Sequence, residues 1–153
     1  TVSAQMNLYR PIVRPILFQF DPEWTHHTTL LWGGRFGRTA LGRALIEGLY
    51  SFEDTRLATE VAGLKFRNPI CLPGGFDKNG LAVDAIAAVG YGSVEVGSVS
   101  ANYSPGNLAR PRLFRVPRDE ALMVYYGVPN DGAQAVAERL ATAMRASSLR
   151  QSV

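Results

Sequence analysis

The chain has 153 residues, of which 46% are hydrophobic and 19% are charged, and its formal net charge is +3. This composition is that of a folded globular domain and excludes a disordered chain. No apolar stretch approaches the roughly 20 residues that a membrane-spanning helix needs, and the small basic excess fits anionic lipid or acidic proteins but does not indicate nucleic acid.

Residues 1–52 combine arginines with large apolar and aromatic side chains. Pro11 and Pro15 interrupt residues 6–20, which predicts one or two short amphipathic turns. A further helix is predicted over 38–50, where most apolar side chains fall on one stripe. The region is either a helical subdomain packed on the rest of the protein or a surface in a membrane interface, where arginines meet phosphates.

The helix between these two segments has boundary signals of its own. Asp21 stands where an N-cap side chain accepts a backbone hydrogen bond, and Pro22 fits the first turn. Gly33 and Gly34 are expected to end this helix.

The pattern then changes to that of an α/β fold. Alternation around Gly63 predicts a β-hairpin. The run "NPICLPGG" predicts a buried strand, in which Cys71 is a small buried hydrophobe; as the single cysteine it excludes an internal disulfide and a multi-cysteine metal site. A helix over 79–90 and a strand over 91–100 complete one βαβ crossover of a parallel sheet.

The last third of the chain is predicted to contain loops and one long helix. Residues 112–132 read as an excursion with a short strand and a short helix. A helix follows from Asp131, because apolar residues recur there every three to four positions behind an aspartate cap.

The stretch "PGGFDKNG", residues 73–80, has the composition of a ligand-binding loop. Two glycines allow the backbone to approach a ligand closely, and an acid, a lysine and an asparagine follow at once.

The order of these segments resembles that of the membrane-associated, quinone-dependent dihydroorotate dehydrogenases. "LYRPIVRPILFQFDPEWTHH" is similar to that family's N-terminal helical extension, and "GLKFRNPICLPGGFDKNG" to its hairpin, first barrel strand and flavin loop. "GYGSVEVGSVS", "PGNLARPRLFRVPRDEAL" and "NDGA" match the next segments in order. A collinear run of this length is more specific than any single motif.

The resemblance implies an α/β fold in which a helical cap, residues 1–52, precedes a partial TIM-type βα barrel, residues 53–153, with about two of the eight units. In the family, FMN lies at the C-terminal ends of the strands, and the cap forms a tunnel for ubiquinone. Hydride passes from dihydroorotate to FMN in pyrimidine biosynthesis, electrons then pass to quinone, and a serine from the middle of the family's chain takes the substrate proton.

The resemblance also implies roles for individual residues. The flavin positions are Gly74, Gly75, Lys78 and Ser98, and the quinone-tunnel positions are His26 and Arg115. In the family the lysine touches both FMN and substrate. From its context alone, His26 reads as a satisfied polar residue near a helix start.

The substrate motif departs from the family pattern. Val124 and Tyr125 stand where the family has asparagine and arginine, whereas Gly127 at the substrate position is kept, and the flavin loop opens with Pro73 and a glycine in place of two alanines. A buried polar edge that faces valine loses its partner, at about 1–3 kcal/mol per group. Recognition of dihydroorotate is therefore expected to be weakened.

The departures and the small number of barrel units together predict a non-catalytic structural subunit of a larger membrane-associated complex. The expected location is the mitochondrial inner membrane, or alternatively a bacterial plasma membrane. Other protein chains would cover the open strands, lipid or quinone would meet the cap, and the chain alone would hold no catalytic residue, metal or cofactor. In this interpretation residues 73–80 form a structural turn, with Lys78 solvated or paired with a partner's carboxylate.

Two alternatives remain open at this stage. The chain is one part of a split dihydroorotate dehydrogenase, with FMN bound once another chain completes the barrel. Or it is a barrel-derived module that binds a flavin, a quinone or a lipid through the cap without turnover.

Overall fold

The computed structural model describes residues 9–146. Its elements, in chain order, are a π-helical turn Tyr9–Val13, α1 Arg14–Leu17, α2 Pro22–Gly37, α3 Ala40–Tyr50, a 3-10 turn Thr55–Leu57, β1 Thr59–Val61, β2 Leu64–Phe66, β3 Cys71–Leu72, α4 Val83–Val89, β4 Ser93–Val94, β5 Leu113–Val116, a 3-10 turn Pro117–Asp119, β6 Ala121–Val124 and α5 Ala133–Ala146. This mixture confirms the predicted α/β class. Closure of the strands into a barrel, and the domain division after residue 52, stay predictions.

The strands form three separate pairs within residues 9–146. Strands β1 and β2 are antiparallel, with Val61 opposite Leu64, which confirms the hairpin around Gly63. Strands β3 and β4 are parallel, with Cys71 opposite Ser93. Because α4 connects this parallel pair, the predicted βαβ crossover is confirmed as well.

The excursion over residues 112–132 contains the predicted short strand, a three-residue 3-10 helix and a second strand that was not predicted. Strands β5 and β6 are antiparallel, with Val116 opposite Ala121, and one 3-10 turn lies between them. Glu120 ends that turn in the left-handed region at φ +48°. The four-residue connection reverses the chain, so the residues after it pair with β5 instead of continuing as a helix. The helix predicted from Asp131 is present as α5.

The cap helices begin largely where the sequence predicts. Residues 9–17 form two short turns, as expected from the prolines, and residues 6–8 lie outside the described range. Asp21 caps α2, because its Oδ1 accepts a hydrogen bond of 2.8 Å from the Trp24 amide. Thr39 caps α3 in the same way through the Gly42 amide.

The predicted end of α2 at Gly33 and Gly34 is wrong, since the helix continues to Gly37. These glycines serve close packing. A Cβ on Gly34 would lie 2.1 Å from the Leu81 carbonyl oxygen, and one on Gly37 would lie 2.5 Å from the Ala85 amide nitrogen. Helix α2 therefore lies directly on the backbone at the start of α4, a contact that any side chain would prevent.

The core lies between the cap and the βαβ unit. Leu30 of α2 packs with Ala82 and Ile86, and these three side chains are buried. Partly buried side chains surround them: Leu72, Leu81, Tyr91 and Val94. Burial of a Leu or Ile side chain is worth about 1.5–3 kcal/mol, so this cluster stabilises the contact between α2 and α4.

Much apolar surface outside this core is exposed in the described chain. The predicted stripe of α3 is exposed throughout and consists of Leu41, Ala44, Leu45 and Leu49, of which Leu41 is 70% exposed. Cys71 is exposed too, so the predicted buried strand and buried thiol are wrong for the described chain. The reason is that, within residues 9–146, no element covers the face of the β3–β4 pair from which the Cys71 side chain projects.

The described helices are also too short or too polar to cross a bilayer, within the range of residues 9–146.

The packing of α2 on α4 can be tested with paired glycine substitutions. Gly34→Ala should lower the free energy of unfolding by about 1–3 kcal/mol, because the new methyl group meets a backbone carbonyl that cannot move aside. Gly48→Ala is the control in α3, where a Cβ would have nothing within 4 Å, and it should raise the free energy of unfolding by about 1 kcal/mol. Chemical denaturation measures both; equal changes in the two variants would contradict the packing.

Candidate functional site

The loop "PGGFDKNG" is fixed to the start of α4 by a buried carboxylate. Asp77 is 1% exposed, and its oxygens accept hydrogen bonds from the amides of Leu81 at 2.9 Å and Ala82 at 2.7 Å. These amides belong to the start of a helix and have no intrahelical acceptor. The neighbouring side chains of the loop are therefore held in defined positions.

The other side of the loop is open at Gly75 and is faced by Glu95 at Gly74. Gly75 has φ +104°, and a Cβ there would meet nothing within 4 Å. A Cβ on Gly74 would lie 2.9 Å from Glu95 Oε1. The Gly75 amide donates to the Gly97 carbonyl at 2.6 Å, which brings exposed Ser98 beside the loop. Three of the predicted flavin positions, Gly74, Gly75 and Ser98, thus lie close together.

Lys78, the fourth flavin position, is half-buried. Its Nζ donates a hydrogen bond of 2.6 Å to the Gly75 carbonyl and lies 5.1 Å from the centroid of the Tyr126 ring. Burial lowers the pKa of the Lys78 ammonium, because the charged form is less well solvated there. The ammonium is not a freely solvated group; pairing with a partner's carboxylate stays a prediction.

A cavity of about 410 Å³, the loop cavity, lies between this loop and helix α2. Its walls include His26, Phe76, Lys78, Tyr126 and Asn130. The His26 and Phe76 rings meet edge to face, with centroids 5.1 Å apart. Burial lowers the pKa of His26, and the Lys78 charge lowers it further. His26 is therefore a half-buried imidazole that favours the neutral form.

A second cavity of about 470 Å³, the cap cavity, lies between the first turns of the chain and the β5–β6 hairpin. Its lining is mainly apolar and aromatic, and includes Leu17, Phe18, Leu113, Arg115 and Leu122. Its lining also includes His26, so one residue contributes to both cavities. The structure thus brings the predicted tunnel residues His26 and Arg115 to one cavity.

Arg115 is fixed by the cap. Its Nη1 donates to the Phe20 carbonyl at 2.8 Å, and its Nη2 donates to the Leu17 carbonyl at 3.2 Å. The guanidinium carbon lies 4.5 Å from the centroid of the Phe18 ring. These contacts hold β5 against the end of α1 and place a cation in the wall of the cap cavity.

Of the substrate positions taken from the resemblance, Lys78 lines the loop cavity, whereas Gly127 and the replaced position Val124 belong to neither lining. Val124 is 55% exposed at the end of β6, where it pairs with Leu113. Gly127 has φ +66°, and a Cβ there would lie 2.5 Å from Asn107 Oδ1, so this glycine permits a tight backbone contact. The roles of the site residues in binding and catalysis stay predictions.

Sequence reasoning did not single out the polar residues that join the loops of the site. Asn130 is buried, and its Oδ1 accepts from the amides of Ser100 at 3.1 Å and Gly132 at 3.0 Å. Its Nδ2 donates to the Val128 carbonyl at 2.9 Å. The turn composition of the segment "PND" was the available sequence signal for Asn130. It does not indicate that Ser100, 30 residues away, is the hydrogen-bond partner.

Arg112 and Glu23 were also missed. Arg112 is buried and paired with the Glu23 carboxylate at the start of α2, and its guanidinium faces the Tyr126 ring at 5.2 Å. Nothing in the run "RPRLFR" distinguishes the buried Arg112 from the exposed Arg110.

The arrangement suits a flat, electron-accepting ligand. Gly75 leaves room for a planar ring, and a half-buried ammonium in a low-dielectric site can stabilise negative charge that develops on such a ring. Among the described residues no group of three or more His, Cys, Asp or Glu side chains could hold a metal ion.

The electrostatic coupling of His26 and Lys78 predicts a measurable titration. His26 should titrate below the ordinary histidine value of 6.5, and Lys78→Gln should raise its pKa by removing a nearby positive charge. NMR of the imidazole protons against pH measures both. Lys65→Gln removes an exposed lysine of β2 and should leave the His26 titration unchanged.

The same coupling fixes the sign of the pH dependence of stability. In the unfolded chain His26 has its ordinary pKa of about 6.5, whereas in the folded chain its pKa is lower, so that it binds a proton only at lower pH. The free energy of unfolding should therefore fall as the pH drops below about 6.5, and His26→Gln should reduce that loss. A His26 pKa at or above 6.5 would contradict the burial of this imidazole.

Comparisons with known proteins, by sequence and by structure, agree on one family. A model of the dihydroorotate dehydrogenase family matches residues 56–151. A dihydroorotate dehydrogenase (quinone) from Synechococcus sp. is 45% identical over 142 residues, which cover 88% of this chain and 37% of that protein. One from Gloeobacter violaceus is 43% identical over 139 residues, covering 89% and 38%.

The solved structures agree with these sequence matches. Ligand-free dihydroorotate dehydrogenase from Eimeria tenella superposes with a TM-score of 0.67 at 29% identity, covering 82% of this chain and 32% of that one. The chain thus spans about a third of the length of the relatives that it matches. With the family match extending over more than half of its residues, the chain belongs to the dihydroorotate dehydrogenase family, and the two bacterial relatives compared above are quinone-dependent members.

Proposed function

We propose that this chain supplies the flavin loop and the quinone-side cap of a quinone-dependent dihydroorotate dehydrogenase. The observation that carries the proposal is the pair of cavities that share His26, one against the lysine loop and one under the cap. The flavin ring would lie over the loop glycines, beside Lys78 of the loop-cavity wall, and the cap cavity would take the quinone head group. Electrons from dihydroorotate would thus leave through the cap, away from the substrate.

The residues of the loop fit FMN. Gly75 would give the ring access to the backbone, exposed Ser98 lies beside it, and Lys78 offers an ammonium. At Gly74 the Glu95 side chain would have to move aside. Bound FMN supplies acceptance of a hydride and release of electrons. Lys78 would stabilise the negative charge that develops on the ring, and its hydrogen bond to Gly75 keeps the ammonium at that position.

His26 and Arg115 would orient the quinone. A neutral imidazole carries one N–H donor and one acceptor nitrogen, so it can donate a hydrogen bond to a quinone carbonyl. Burial and the Lys78 charge both favour that neutral form. Arg115 already donates to two cap carbonyls, so its role is to hold the wall of the cap cavity as well as to present positive charge.

The cap would lie at a membrane that contains quinone, either a bacterial plasma membrane or the mitochondrial inner membrane. Support comes from the exposed aromatic and apolar side chains of α2 and α3, among them Trp32 and Leu41. The guanidinium carbon of Arg35 lies 5.6 Å from the Trp32 ring centroid. A cation thus lies beside the apolar surface, where it could pair with the phosphate of a lipid headgroup.

A second candidate function is that of a non-catalytic subunit whose open strands contact other protein chains. The observation that favours it is the replacement of the substrate asparagine by Val124, beside exposed Tyr125 and an exposed β6. A valine cannot hydrogen-bond a polar substrate ring. Exposed Cys71 on β3 marks another strand that a partner would cover.

Native mass spectrometry of the protein isolated from its source, with every associated chain and small molecule identified, separates the two candidates. The proposed dehydrogenase predicts bound FMN and further barrel strands, either in the same polypeptide or in a companion chain. A colourless complex with unrelated proteins would contradict it and support the structural subunit.

The Val124 position gives a direct test of substrate recognition. In the isolated dehydrogenase, Val124→Asn should raise kcat/KM for dihydroorotate roughly 5- to 150-fold, the equivalent of about 1–3 kcal/mol for one restored hydrogen bond. Val61→Asn, on exposed β1, is the matched control and should leave kcat/KM unchanged. An unchanged kcat/KM in the Val124 variant would show that this position does not face the substrate.

A further inference from the structure

Arg112 is a charged residue at an unusual level of burial, with 5% of its surface exposed. Its Nε and Nη2 donate to the two carboxylate oxygens of Glu23, the first at 3.2 Å and the second in a shorter contact. Its Nη1 donates to the carbonyls of Pro105 at 2.8 Å and Asn107 at 3.1 Å. Such complete pairing is what a buried guanidinium requires, because an unpaired buried charge is strongly destabilising.

The partner carboxylate belongs to the cap. Glu23 lies in the first turn of α2, where the helix dipole favours a negative charge, three residues before His26. The hydrogen bond to Arg112 is the main cause that lowers the pKa of Glu23, with charge attraction to Arg112 and Arg110 adding to it. The carboxylate therefore stays ionised at neutral pH, and the bidentate contact joins the cap to the segment before β5.

Beyond this ion pair, Arg112 contacts the ring that also faces Lys78. The Arg112 guanidinium carbon lies 5.2 Å and the Lys78 Nζ lies 5.1 Å from the centroid of the Tyr126 ring. Both distances are within the range of a cation–π contact, about 6 Å. The backbone that carries the Tyr126 ring is also fixed by hydrogen bonds. The Tyr125 amide donates to the Arg112 carbonyl at 2.7 Å, and the Asn107 amide donates to the Tyr126 carbonyl at 2.9 Å.

We propose that Arg112 is a positioning residue for Lys78: held by Glu23 of the cap, it orients the Tyr126 ring, and that ring fixes the lysine ammonium. The proposal rests on the proposed function for its catalytic meaning, since Lys78 is there the group that faces the flavin. The predicted coupling between Arg112, the Tyr126 ring and Lys78 does not depend on a bound flavin. Detachment of the Glu23 carboxylate from Arg112 should change the surroundings of a lysine in a different loop.

Selective ¹³C labelling of lysine tests this in the intact protein, with all associated chains present. This chain contains two lysines, and exposed Lys65 on β2 serves as the internal reference. The side-chain protons of Lys78 should resonate upfield of those of Lys65, because they lie over the face of an aromatic ring. Tyr126→Leu should remove that upfield shift, which also assigns it to the ring.

The decisive variants are Arg112→Gln and Glu23→Gln. Each should move the Lys78 resonance toward the Lys65 position, and Arg112→Gln should add no further shift in a Tyr126→Leu background. Arg110→Gln is the control, since its side chain is 68% exposed and lies 3.5 Å from the same carboxylate. It should leave the Lys78 resonance in place.

An unchanged Lys78 resonance in folded Arg112→Gln would overturn the proposal and leave the ion pair a purely structural link. If Arg112→Gln does not fold, Glu23→Gln decides alone, because it keeps the size and one hydrogen-bond acceptor of the carboxylate. A further outcome is that the Lys78 resonance responds as expected in a protein that is isolated without FMN. That result would support the positioning role of Arg112 and contradict the dehydrogenase function. Failure of the positioning proposal is therefore distinguishable from failure of the proposed function.

Discussion

The close contact between helix α2 and the backbone at the start of α4 is the constraint on which the other features of the site depend. Gly34 and Gly37 make it possible, because any Cβ there would collide with the Leu81 carbonyl or the Ala85 backbone. At this distance the cap lies against the lysine loop, and His26 reaches the ring of Phe76. The loop cavity is formed by that approach, so a looser helix pair would leave the loop open to water.

Three independent links then hold the cap in that position. The apolar cluster around Leu30 supplies burial, Arg115 donates to the carbonyls at the end of α1, and Glu23 pairs with buried Arg112. They differ in character, since the first is non-directional and the other two fix orientation. Together they place the loop cavity and the cap cavity on either side of His26, which is the arrangement that the proposed passage of electrons from flavin to quinone requires.

Much of the local structure could be predicted from the sequence, because its causes are local. The Asp21 cap, the Gly63 hairpin and the βαβ crossover follow from residue types and spacing. The errors concern tertiary packing. Gly34 packs a helix instead of ending it, and Cys71 is exposed because no element of the described chain covers its side of the β3–β4 pair. The resemblance supplied the positions of the site, but the links between residues distant in sequence had no local signal.

His26 is proposed to serve the quinone side of a site whose flavin side is formed by Lys78. The most direct test measures the two half-reactions separately, by anaerobic stopped-flow spectroscopy of the isolated flavoprotein. His26→Ala should slow reoxidation of the flavin by a ubiquinone analogue at least tenfold, while the rate of flavin reduction by dihydroorotate should stay within about twofold of its original value. Equal loss in both half-reactions, or loss in reduction alone, would contradict this role of His26.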